Sequence, residues 1–181
     1  MRVRTLSIGL LVLALLLSAG GTLAGPSGQS GEQTYEGLFS FTYPTNWQLR
    51  VSNANQIQLF EDDATITFYG PERVARIRAL APEETDSEFL ARFLDNQSLR
   101  IIEESSAEGD LLAGGTLQPT SRESGMAYLI EPGPDIQVVT VLRASTKVYA
   151  DVLPDFETIV DAKIYSIADC ISFNRRFRCF F

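Results

Sequence analysis

The chain of 181 residues contains no histidine, and only two lysines, two cysteines and one tryptophan. Each shortage removes a chemistry. Without imidazole there is no Ser-His-Asp or Cys-His arrangement, because histidine is the usual base that activates a hydroxyl or thiol near neutral pH. The commonest ligand of catalytic zinc is missing with it. A serine–lysine mechanism would need Lys147 or Lys163, and neither falls in a Ser-x-x-Lys pattern. Positive charge is scarce as well, with 15 Lys and Arg against 23 Asp and Glu, a net charge of −8. Such a domain repels a phosphate backbone, which argues against nucleic acid as a partner. No Gly-x-Gly-x-x-Gly or Walker lysine is present; Gly114-Gly115 reads as a bulge or a close backbone approach.

What the chain does have begins at its first residues. Arg2 and Arg4 precede an apolar run from Leu6 to Leu17, and the small-residue stretch Ala19-Gly20-Gly21-Thr22-Leu23-Ala24 follows. Basic, apolar and small-residue regions in that order are the layout of a secretory signal peptide, with cleavage expected after Ala24. The alternative is an uncleaved anchor, since Leu6 to Ala24 just reaches the ~17 residues of a minimal span. Either way the remainder faces out of the cytoplasm. Losing residues 1–24 removes two arginines and no acid, which leaves a net charge of about −10. Residues 25–34 are rich in Gly, Ser and Gln without apolar periodicity and read as a flexible linker. A folded domain is expected over residues 35–165, long enough for its own core.

Period-two alternation dominates the first part of that domain. Phe39, Phe41 and Tyr43 alternate with Ser40 and Thr42; Pro44-Thr45-Asn46 interrupts; Trp47, Leu49 and Val51 resume. Ile57 and Leu59, then Ile66 and Phe68, flank the turn residues Glu61-Asp62-Asp63. The pattern predicts four strands in an antiparallel meander, each with one buried face. Later, Ile101-Ile102 with Leu111-Leu112, and residues 127–130 with 136–142, predict two more hairpins. Val138 to Leu142 is apolar almost throughout, which fits a central strand covered on both faces.

Three helices are expected among these strands. Pro71 suits a first helical position, with Val74, Ile77 and Leu80 following, and Glu72 four residues before Arg76 as an ion pair. Thr85-Asp86-Ser87-Glu88 is a capping-box pattern ahead of the stripe Phe89, Leu90, Phe93 and Leu94, which predicts a helix over residues 86–97. A third helix over residues 151–163 would bury Phe156, Ile159 and Val160, with Asp155 and Glu157 in its first turn and Lys163 in its last. An antiparallel sheet flanked by helices is an α+β layout.

Phe39-Ser40-Phe41-Thr42-Tyr43-Pro44-Thr45-Asn46-Trp47, together with the terminal helix Leu153-Pro154-Asp155-Phe156-Glu157-Thr158-Ile159-Val160, resembles the PsbP-like family over residues 35–165. The resemblance implies an α/β/α sandwich around an antiparallel sheet, with Phe39, Phe41, Tyr43, Pro44 and Trp47 as core and turn residues. That family includes extrinsic proteins of photosystem II and many exported proteins of unknown role. Its Ran-binding branch is cytosolic and nuclear, which the export signal here contradicts.

Candidate sites are sparse. Paired carboxylates could serve a secreted hydrolase, and the groups available are Glu61-Asp62-Asp63, Glu103-Glu104, and Glu108 with Asp110. All lie in or beside expected turns, where solvated acids are the ordinary outcome. No EF-hand spacing supports calcium, and no metal or cofactor is expected. Arg73, Arg76 and Arg78 read as a solvated helix face. The tail, residues 166–181, interleaves arginine and phenylalanine between Cys170 and Cys179, which could form a disulfide in an oxidising compartment or dock on an anionic membrane. The reading that remains is an exported, non-enzymatic binding or accessory domain for an envelope protein or small ligand, with the carboxylate hydrolase as alternative.

Overall fold

Seven segments assemble one antiparallel sheet, and its central strand is the one whose apolar run is longest. The computed structural model describes residues 31–118, 120–161 and 165–166; residues 1–24, Lys163, Cys170 and Cys179 lie outside them. In chain order the elements are β1 (Glu32–Tyr35), β2 (Phe39–Pro44), β3 (Gln48–Asn53), β4 (Gln56–Glu61), β5 (Ala64–Tyr69), α1 (Pro71–Arg78) and α2 (Asp86–Asp95). There follow β6 (Ile101–Ser105), β7 (Leu111–Leu117), β8 (Glu123–Gly133), β9 (Ile136–Ser145), α3 (Tyr149–Asp161) and β10 (Tyr165–Ser166). The large sheet runs β3-β4-β5-β9-β8-β7-β6, and a smaller one runs β1-β2-β10. β9 is therefore the middle strand of seven, and Val138, Val139, Thr140, Val141 and Leu142 are all buried, as its apolar run requires. Asp62 and Asp135 adopt positive φ, 41° and 63°, in the turns that open the β4–β5 and β8–β9 hairpins, a conformation aspartate tolerates better than most residues.

The sheet separates two cores. On one face Phe39, Phe41, Tyr43 and Trp47 pack with Ile57, Leu59, Ile66, Phe68, Val138 and Leu142 under α3, which contributes Val152, Phe156 and Ile159. On the other face Tyr69, Val139, Val141, Ala127 and Leu129 meet Val74 of α1 and Phe89, Leu90, Phe93 and Leu94 of α2. Helices on both faces of a mainly antiparallel sheet make this an α+β sandwich.

Several expectations change against this architecture. The first is the linker: residues 32–34 pair in β1 with β2, Glu32 opposite Pro44 and Thr34 opposite Thr42, and the compact unit starts at Gly31. Polar Glu-Gln-Thr carries no apolar signal, yet its backbone satisfies the edge of β2. Next, β2 does not pair with β3. The chain leaves the small sheet through Thr45 and Asn46 and enters the large one, so the meander begins at β3. Every residue of β3 is exposed, with Leu49 at 37% and Val51 at 50%; among the described residues no helix or further strand covers that edge. α1 stops at Arg78, leaving Leu80 outside it and 78% exposed. Glu72 does not pair with Arg76; its Oε2 accepts from Asn55 Nδ2 at 2.7 Å. Asn55 Oδ1 in turn accepts from the backbone N–H of Glu72 (3.1 Å) and Arg73 (3.3 Å), capping a helix whose own N-cap, Gly70, has no side chain. Finally, α3 starts at Tyr149 and holds Pro154 inside it, so Asp155 lies beyond the first turn.

Candidate functional site

The position of α2 decides where the molecule has a usable concavity. Its N-terminus is fixed by a reciprocal cap: Glu88 N–H donates to Thr85 Oγ1 at 3.3 Å and Thr85 N–H donates to Glu88 Oε2 at 2.9 Å. Arg92 holds it from the side, donating through Nε (2.7 Å) and Nη2 (2.7 Å) to Glu84 and through Nη2 to the Ile77 carbonyl at 3.3 Å. The buried stripe Phe89, Leu90, Phe93 and Leu94 then seats the helix over β7 and β8. Edge strand β6 extends past the helix flank. Between them lies a groove of about 550 Å³ lined by Leu90, Ala91, Leu99, Ile101, Ile102 and Ala113, with Asp95, Arg100 and Glu104 around it.

Gly115 lets the edge strand β6 approach, and Gly114 makes room for Tyr128 of β8. A Cβ on Gly114 would run into the Tyr128 ring, and one on Gly115 would meet the Glu103 carbonyl and the Ile101 side chain. The close-approach reading of Gly114-Gly115 therefore holds. The β6–β7 register shifts between Ile101 and Glu103, and Ile102, at the shift, is 56% exposed along the groove. Ser87 and Arg92 line it as well, so the accessible apolar wall of Ala91, Leu99, Ile101 and Ile102 is set among polar and charged side chains.

At the N-terminal end of α2, hydrogen-bond partners favour the ionised form of two acids. Hydrogen bonds from Arg92 hold the Glu84 carboxyl below the usual carboxylate range, and Arg92 is itself pushed up by that partner. The backbone and hydroxyl of Thr85 lower Glu88 in the same way. A general acid needs the opposite shift, toward neutrality near pH 7. Burial raises Tyr69, Tyr128 and Tyr149, which keeps their phenols protonated.

The residues singled out from sequence are dispersed. Phe39, Phe41, Tyr43 and Trp47 are buried in the α3-side core, and Pro44 closes β2. Glu61-Asp62-Asp63 sits at the β4–β5 turn, Glu103-Glu104 on edge strand β6, and Glu108 and Asp110 in the β6–β7 turn. Among the described residues no three His, Cys, Asp or Glu side chains converge as a metal site. The arginines of α1 separate: Arg73 donates to Gln56 Oε1 at 3.0 Å and stands 4.5 Å from the Tyr69 ring centre, while Arg78 pairs with Asp86 and lies 4.4 Å over Phe89. Sequence reasoning placed Asp155 only as a first-turn helix acid and missed its bond: Oδ2 accepts from Trp47 Nε1 at 3.0 Å and joins α3 to the β2–β3 connection. The two lie 108 residues apart, and nothing local in either segment points to the other. It also missed Glu84 and Arg92, whose eight-residue spacing only a helix–loop fold brings together.

No protein-family model matches the sequence, and no curated protein matches it. Among the described residues no helix is long and apolar enough to cross a membrane. Solved structures do match in shape. A crystal structure from Bacteroides thetaiotaomicron overlaps 76% of this chain and 48% of its own at 9% identity, with a TM-score of 0.43 that bears no weight. The solution structure of cyanobacterial PsbP (CyanoP) from Synechocystis sp. PCC 6803 covers 80% of this chain and 98% of that one, at 12% identity and a TM-score of 0.50. The helix-flanked antiparallel sheet of this chain is thus a PsbP-like fold.

Proposed function

We propose that the protein is an exported accessory domain that binds its partner without transforming it, through the groove between α2 and β6. The accessible apolar wall of that groove carries the reading: Ala91, Leu99, Ile101 and Ile102 offer surface to an apolar segment of an envelope protein or to a small apolar ligand. Export rests on the signal layout of residues 1–24, and the PsbP-like fold is compatible with it.

The test is cross-linking in intact envelope, comparing the wild type with Ala91→Arg, which places a charge on the exposed helix wall of the groove. A specific adduct that the substitution abolishes, while thermal stability stays within about 0.5 kcal/mol of wild type, is the expected outcome. An adduct indifferent to Ala91→Arg sinks the groove, and turnover of a glycan by the purified chain sinks the non-enzymatic reading.

A further inference from the structure

The α1–α2 face of the large sheet is apolar where the helices lie. α1 packs on β9 and α2 on β7 and β8, over Val139, Val141, Ala127 and Leu129. Toward β3 the same face turns polar. Arg50 stands opposite Gln58 and Gln58 opposite Thr67; one row along, Phe60 stands opposite Thr65 and Thr65 opposite Arg143. These two rows line a hollow of about 430 Å³ together with Gln97 and Leu99, which follow α2. Its side chains hold one another in place. Gln58 Nε2 donates to Thr67 Oγ1 at 3.3 Å, Arg143 Nη2 donates to Glu123 Oε2 at 2.7 Å, and the Arg50 guanidinium lies 5.2 Å from the Phe60 ring centre. Groups already ordered on a rigid sheet lose little further freedom when a ligand arrives.

We propose that this hollow binds a neutral oligosaccharide. Its charge selects that class first: Arg50 and Arg143 are matched in the lining by Asp63 and Glu123, so neither an anion nor a cation is favoured. The hydroxyls of Thr65 and Thr67, the amides of Gln58 and Gln97 and the Arg143–Glu123 pair donate and accept side by side, as neighbouring sugar hydroxyls do. An apolar ligand would leave these groups unpaired, a cost it could not recover. Phe60 and Leu99, both half-buried, offer apolar surface to the C–H face of a sugar ring. The site is long enough for several units. An adjoining hollow of about 420 Å³ shares Gln97, Leu99, Glu123 and Arg143 with it and adds Gln118, Thr120 and Ser124, with Arg100 as its one further charge. None of Gln58, Thr65, Gln97, Glu123 and Arg143 lines the α2–β6 groove, so the proposal does not depend on that groove.

Backbone amide chemical shifts of the purified full chain read the site during titration with cellotetraose, chitotetraose or mannotetraose to about 10 mM, a range that covers a Kd of about 1 mM. At least one of the three should move the amides of residues 58–60, 65–67, 97–99 and 143 together, and the acidic tetragalacturonate should bind no tighter. Arg143→Ala should weaken binding about tenfold and the shape-preserving Thr65→Val about threefold, in keeping with loss of a charged and of a neutral hydrogen-bonding group. Glu157→Gln, on α3, should leave it unchanged. Each variant counts only with a wild-type circular dichroism spectrum, and Thr65→Val carries the test if Arg143→Ala misfolds. Absence of any shift with all three sugars overturns the proposal. So does tighter binding of tetragalacturonate, a set of shifts confined to other residues, or binding that the folded variants leave untouched.

Discussion

The two faces of the seven-stranded sheet hold their helices by different means. Under α3 the core is aromatic: Phe41 stacks on Phe68 at 4.2 Å, Tyr128 on Phe156 at 5.3 Å, and Phe39 and Tyr43 flank Phe41. Side-chain bonds also tie the helix across: Trp47 Nε1 donates to Asp155 at 3.0 Å, and the Tyr149 hydroxyl donates to the Gly125 carbonyl at 3.4 Å. On the α1–α2 face two of the three buried aromatics, Tyr69 and Phe89, are answered by cations. Arg78 and Arg92 lie over Phe89, Arg73 over Tyr69, and the two pairs Arg78–Asp86 and Arg92–Glu84 clasp the helix ends. Apolar stacking is indifferent to salt and pH, whereas partly exposed ion pairs are screened and titrate. The difference teaches that one face sets the stability of the fold and the other sets its response to conditions.

The sharpest way to break that contrast is on the aromatic face. Phe41→Ala removes the ring at the middle of the stack and should cost about 3–5 kcal/mol in urea unfolding. A loss below about 1 kcal/mol would mean that the α3-side core is not the mainstay. Leu94→Ala, buried under α2, should cost about 2–5 kcal/mol by the same cavity argument; its effect is expected to fall below that of Phe41→Ala. Asp155→Ala leaves the indole N–H of Trp47 without its acceptor and should cost about 1–2 kcal/mol.

Thr85→Ala removes the capping hydroxyl of α2, an expected cost of about 1 kcal/mol. The gentlest probe is acid. The folded-state pKa of Glu84 is depressed, so its contribution is present above the ordinary carboxylate range and is lost as pH falls through the lowered value. Melting temperature should therefore drop on the acid side, and Glu84→Gln should flatten that slope while Phe41→Ala shifts the whole curve without changing its shape. Equal slopes in wild type and Glu84→Gln would dissolve the distinction between the faces.

How much of this was legible depended on whether a segment's role was written locally. The capping box at Thr85 and Glu88 and the stripe from Phe89 to Leu94 placed α2 to within two residues of its end, because both signals act within one turn. Val138 to Leu142 announced its central place because only double burial tolerates an unbroken apolar run. Leu49 and Val51 misled for the converse reason: alternation shows that a strand has two faces, not that anything covers either one. Strand order was hidden too, since the periodicity of residues 39–43 is the same whether they pair with β3 or with β1 and β10. The groove was out of reach because Ala91, Ile102 and Ala113 form it only after α2 and β6 have been placed against β7.

Trp47 is the one tryptophan of the chain, buried and bonded to Asp155. The protein thus carries a fluorophore whose emission reports on the docking of α3 and on little else. Far-ultraviolet circular dichroism, by contrast, averages over both layers. Should the α1–α2 layer loosen first in acid, ellipticity would fall while the indole emission stayed blue-shifted. A single solution would then show, in two signals, which layer of the sandwich lets go.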